Sequence, residues 1–144
     1  MSLSPSGGRG DRSSAIAQAA QLKILVVDDD DYVHVALRAA LRSLRADIFR
    51  AGTAAEGFEL ARSHRPDLAI IDLGLPDAHG YQLTRWLRST PELDGLGILI
   101  VTGHLPDAVA AAEAGADEIL AKPFSLGESL EAVRRQVRKR ALVK

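Results

Sequence analysis

Cysteine is absent from the 144 residues, which removes disulfides and thiolate metal sites and leaves no argument for an oxidising compartment. Long apolar runs are missing too: none approaches the roughly 18 to 20 residues that span a bilayer. No charged N-terminal stretch leads into an apolar one, as a secretory signal would. Neither sign of charge dominates. Eighteen Lys and Arg stand against 19 Asp and Glu, for a formal net charge of −1, so the chain has no overall field to attract nucleic acid or an acidic membrane. A basic cluster near the end, Arg134, Arg135, Arg138, Lys139, Arg140 and Lys144, carries no interleaved aromatics and reads as a solvated helix end favoured by the helix dipole. No direct nucleic-acid binding and no membrane association are expected, and the cytoplasm is the default location.

What is present is an ordinary globular composition, 47% hydrophobic and 26% charged, in a chain long enough for one domain with a real core. Residues 1–21, rich in Ser, Gly and Arg at the start, read as a flexible tail. Residues 22–140 carry the folded pattern, and 141–144 are a short end. Apolar runs alternate with helix-period segments. Strands are predicted at Lys23 to Val27, Asp47 to Arg50, Asp67 to Ile71, Gly97 to Val101 and Asp117 to Ala121. Helices are predicted at Tyr32 to Leu44, Thr53 to His64 with a Thr53-Ala54-Ala55-Glu56 capping box, Tyr81 to Ser89 and Asp107 to Ala114. A last amphipathic helix carries Leu126, Leu130, Val133 and Val137. Strict βα alternation predicts an α/β fold with a parallel sheet covered on both faces.

Polar residues stand at the ends of the apolar runs. Ile24-Leu25-Val26-Val27 leads into Asp28-Asp29-Asp30-Asp31, Leu68-Ala69-Ile70-Ile71 into Asp72, Ile98-Leu99-Ile100-Val101 into Thr102, and Ile119-Leu120-Ala121 into Lys122. In a parallel sheet the strands' carboxyl ends share one edge, where ligands bind. Carboxylates there supply hard oxygen ligands for Mg²⁺, and an aspartate can accept a phosphoryl group as a mixed anhydride. A cation must then bridge the repelling charges, while Thr102 and Lys122 can donate to the phosphoryl oxygens. Taken singly, each residue has a plainer role as a helix cap or a solvated side chain. Their coincidence at the ends of four strands favours a site.

The runs Ile24 to Asp30, Ile71-Asp72-Leu73-Gly74-Leu75-Pro76-Asp77, Val101-Thr102-Gly103 and Lys122-Pro123-Phe124 resemble the signature blocks of bacterial two-component response-regulator receiver domains, of the chemotaxis-regulator kind. The resemblance implies a flavodoxin-like doubly wound sheet of five parallel strands in the order 2-1-3-4-5, with five helices. It makes Asp72 the phosphoacceptor, served by a sensor histidine kinase or a histidine phosphotransfer protein. Asp28, Asp29 and Asp72 would hold Mg²⁺ together with the carbonyl of Gly74, Thr102 and Lys122 would contact the phosphoryl group, and the Lys122-Pro123 bond would be cis. The protein would then be no enzyme in the ordinary sense, catalysing only its own phosphorylation and dephosphorylation. Phosphorylation would switch a surface formed by the fourth helix, fifth strand and fifth helix toward a downstream protein, a fused output domain or a homodimer.

The chain departs from the family pattern at four positions. Ile119 stands where an aromatic switch residue is common, and Gly74 replaces a larger side chain. His79, where Asp is usual before Gly80, is expected to be an exposed loop residue, and Asp31 is expected to cap the first helix. Trp86 is expected on the third helix, away from Asp72. Two rival functions are weighed. In the first, Asp28-x-Asp30 with Thr102 and Lys122 resembles haloacid-dehalogenase-type phosphohydrolases, with Asp28 as nucleophile, but this leaves Asp72 unexplained. In the second, a receiver-like module binds a partner without phosphorylation; the complete acidic and Thr/Lys set argues against it.

Overall fold

The computed structural model describes residues 21–143, so the tail expected over 1–21 lies outside it except for Gln21. Five strands alternate with five helices: β1 (Lys23–Val27), α1 (Asp31–Ala40), β2 (Asp47–Ala51), α2 (Ala54–His64), β3 (Leu68–Asp72), α3 (Gly80–Arg88), β4 (Gly97–Thr102), α4 (Ala108–Ala114), β5 (Glu118–Ala121) and α5 (Leu126–Val143). All pairings are parallel, in the order β2-β1-β3-β4-β5. Among the described residues no helix is long and apolar enough to cross a membrane.

The strand runs are apolar at every position because both faces of the sheet are covered. Alternate side chains serve different layers. Leu25, Val27, Ala69, Ile71, Ile98 and Ile100 join Ala61 of α2 and Leu83 and Leu87 of α3. Ile24, Val26, Leu68, Ile70, Leu99 and Val101 join Leu37 of α1 and Ala132 and Val133 of α5. The chain leaves β1 toward β2 on one side and returns through β3 on the other, so a crevice opens at the carboxyl ends of β1 and β3.

Boundaries moved where tertiary geometry overrode local pattern. The first helix stops at Ala40, and Arg42–Leu44 continues as a 3₁₀ turn closed by Arg45 at φ 53°. The apolar spacing to Leu44 survives this change, since Leu44 still packs on the α1–α5 side of the core. The cap of α1 is Asp30, whose carboxylate accepts from the Tyr32 amide at 2.9 Å. Asp31, expected in that role, is instead the first helical residue and forms an ion pair with Arg50. The capping box of α2 forms with a twist: Thr53 Oγ1 accepts from the Glu56 amide at 3.0 Å, while Glu56 reaches back one residue further, to the Gly52 amide at 2.9 Å. The terminal helix runs to Val143, beyond the expected end near residue 140.

Candidate functional site

Asp28 leaves β1 and has every polar group held. Its amide donates to Ala51 O at 3.0 Å, extending the pairing with β2. Its Oδ1 accepts from the Asp30 amide at 2.9 Å, which curls the acidic run into a tight turn. Its Oδ2 accepts from Lys122 Nζ at 2.9 Å, and its carbonyl accepts from the ring of His34 at 2.6 Å. Asp72 closes β3, with Oδ2 taking the Gly74 amide at 3.1 Å and Oδ1 taking Lys122 Nζ at 2.9 Å. One ammonium is thus shared by two carboxylates from the ends of adjacent strands.

Burial follows the division of labour. Asp28 and Asp72 are 1% and 6% exposed, whereas Asp29 is open to solvent on the turn. Burial pushes the Asp28 carboxyl above its ordinary range and the Asp72 charge adds to this, partly offset by the Asp30 amide and Lys122. Burial also works to lower Lys122, but the hydrogen bonds and charges of Asp72 and Asp28 prevail and hold the ammonium above its ordinary value. Lys122 therefore stays a cationic donor at neutral pH.

One oxygen each from Asp28, Asp29 and Asp72 lies within 4.8 Å of the others. Three carboxylates this close repel one another, and Lys122 contacts only two of them. An all-oxygen donor set beside open solvent fits a small hard divalent cation that retains waters. Gly74, an exposed residue, follows two positions after Asp72, with its amide already on the carboxylate. Thr102 ends β4 at 1% exposure, and its Oγ1 accepts from the His104 amide at 3.1 Å, leaving the O–H to donate. The Lys122 amide donates to Thr102 O at 2.7 Å, which ties the end of β5 to that of β4, and the Lys122-Pro123 bond is cis.

A family model for the response regulator receiver domain matches residues 24–134. The chain belongs to that family. The receiver is 38% identical over 105 residues to the KDP operon transcriptional regulatory protein KdpE of Escherichia coli, covering 73% of this chain and 46% of that protein. It is also 38% identical over 123 residues to the response regulator MprA of Mycobacterium ulcerans, covering 84% of this chain and 52% of MprA. The chain thus spans about half the length of the curated relatives it matches. Among solved structures it is similar to a CheY-like receiver domain protein from Methanospirillum hungatei, with a TM-score of 0.78, 27% identity, and coverage of 86% of this chain and 99% of that one. Two-component phosphorelay signalling is the function of this family, and the phosphohydrolase alternative is not favoured.

The sequence assigns no role to Asp77 or His34, and both stand beside the site. Asp77 receives the amides of Ala54 at 2.7 Å and Ala55 at 3.0 Å, clamping the loop after β3 to the start of α2. His34 is buried at 7% exposure against Asp28. Its spacing of three and seven from Leu37 and Leu41 puts it on the inward face of α1, the one signal that could have found it. His79 is exposed, as expected, and caps α3 by accepting the Tyr81 amide on Nδ1 at 3.2 Å. Ile119 is half-buried and packs against the core on the α2–α3 side, and Trp86 lies on α3, edge-on to Phe58.

Proposed function

We propose that Asp72 is the phosphoacceptor of this receiver, charged by the phosphohistidine of a sensor histidine kinase or histidine phosphotransfer protein in the cytoplasm. A carboxylate oxygen of Asp72 attacks phosphorus, the P–N bond breaks, and its electron pair returns to the imidazole. The product is an acyl phosphate on Asp72. Attack of water on phosphorus later breaks the P–O bond to Asp72 and releases inorganic phosphate, restoring the carboxylate. The receiver's catalysis is confined to these two steps on itself.

The observation that carries the reading is the position of Lys122 Nζ, 2.9 Å from both Asp28 and Asp72. A fixed ammonium beside the acceptor offsets carboxylate charge before transfer and can donate to a phosphoryl oxygen afterward, with no reorganisation cost at the moment of reaction. Thr102, with its O–H available, serves a second oxygen. Asp28, Asp29, Asp72 and the Gly74 carbonyl are the groups that would hold Mg²⁺. When bound, the ion supplies the positive charge that lets a phosphoryl dianion approach a carboxylate.

The phosphorylated form would favour one of two pre-existing conformations and change the surface of α4, β5 and α5. Leu105 and Val109, 93% and 68% exposed beside and on α4, provide apolar contact area there for a downstream protein, a fused output domain or a second copy. Ile119 would transmit the change by an aliphatic rotamer shift.

The test is intact-protein mass after incubation with acetyl phosphate and Mg²⁺, beside Asp72→Asn and a metal-free control. One added phosphoryl mass, absent from both controls, is the expected result. An adduct that survives Asp72→Asn and disappears in Asp28→Asn overturns the assignment.

A further inference from the structure

The mechanism leaves His34 without a role, although it touches the site. Its ring is buried, and Nε2 lies 2.6 Å from the carbonyl oxygen of Asp28. A carbonyl can only accept, so Nε2 carries the proton and donates. The bond runs from the second turn of α1 back to the residue that follows β1, across the acidic turn of Asp28, Asp29 and Asp30. It closes a frame. The Asp28 amide is pinned to β2, its Oδ1 to the Asp30 amide, and its carbonyl to α1.

We propose that His34 is a positioning residue for divalent-cation binding: by holding the Asp28 carbonyl it fixes the peptide plane between Asp28 and Asp29, and so the direction in which both carboxylates leave the turn. The inference rests on the metal-binding reading of the site. Asp29 shows why an anchor is needed. It is exposed, and no hydrogen bond to its carboxylate is found among the described residues, so its placement depends on its backbone. Asp28 and Asp72 have Lys122 to orient them, and Asp29 has only the turn. Outer-shell partners that orient metal ligands are worth about 10- to 100-fold in metal affinity when removed. Because His34 acts on the backbone rather than on a ligating atom, the lower end of that range is expected.

The experiment is a titration of the intact chain with MgCl₂ alone, followed by backbone amide NMR shifts around Asp29 and Gly74. His34→Met fills the volume but removes the donor. His34→Gln can place an amide N–H near the Nε2 position. The expected result is a Mg²⁺ Kd raised about tenfold in His34→Met and restored to within about threefold of the parent chain in His34→Gln. Should His34→Met fail to fold, His34→Asn takes its place, with an amide too short to span the same distance. An unchanged Kd in the donor-less variant overturns the inference, as does a Gln variant as weak as Met, which would make His34 a packing residue. Failure of the parent chain to bind Mg²⁺ overturns the metal-binding reading itself, and this inference with it.

Discussion

Gly80 packs directly on the strand end that carries Asp72, so Gly80→Ala tests how far packing there governs the proposed chemistry. A Cβ on Gly80 would lie 2.5 Å from the carbonyl oxygen of Asp72, 2.8 Å from Leu73 Cα and 3.0 Å from the Asp72 carbonyl carbon. All three are backbone atoms, so no side chain can swing away. The Gly80 amide also donates to Leu73 O at 2.9 Å, which draws the start of α3 onto the end of β3. Roughly 0.5 Å must be gained before the contact falls within the range that real Cβ atoms show. Overpacking against an unyielding neighbour costs about 1–3 kcal/mol. The strand end that must yield carries Asp72, and a misplacement of about 1 Å can cost about 100-fold in rate. The control is Gly95→Ala, where a Cβ would meet nothing within 4 Å. Reduced freedom of the unfolded chain should leave that variant neutral or more stable by about 0.4–1 kcal/mol. Urea unfolding gives the stabilities, and the rate of mass gain with acetyl phosphate gives the chemistry. Equal stability of the two variants, with equal phosphorylation rates, would refute the reasoning.

Lys122→Met removes the ammonium shared by Asp28 and Asp72 and, on the proposed function, one donor to the transferring group, so phosphorylation by acetyl phosphate should fall by about 100- to 1,000-fold; quenched-flow or mass kinetics at saturating Mg²⁺ would show it. Asp77 is held below the ordinary carboxylate range by the amides of Ala54 and Ala55, so its contribution to stability is complete above that range and is lost as pH falls through its depressed folded value. Asp77→Asn should therefore melt at a lower temperature than the parent chain at pH 7, with the gap closing below about pH 4; a gap independent of pH would sink the capping argument.

The succession of elements, and the sheet edge that carries the candidate site, were legible in the residue pattern alone. Short continuous apolar runs such as Leu68 to Ile71, bounded by Pro66 and by Gly74 and Pro76, read as strands covered on both faces, and a strand followed by a helix five times leaves little choice but a parallel doubly wound sheet. Both signals are local, carried by periodicity and by the residue that ends each run. Tertiary structure alone decided which atoms meet. Lys122 reaches partners 94 and 50 residues away, because β1 and β3 are neighbours and the end of β5 is tied to Thr102. The choice of Asp30 over Asp31 as helix cap, the clamp of Asp77 on α2 and the turn of His34 onto Asp28 were equally out of reach. Each depends on which backbone groups the packed core brings within reach of a side chain, and the local pattern of the chain does not encode that.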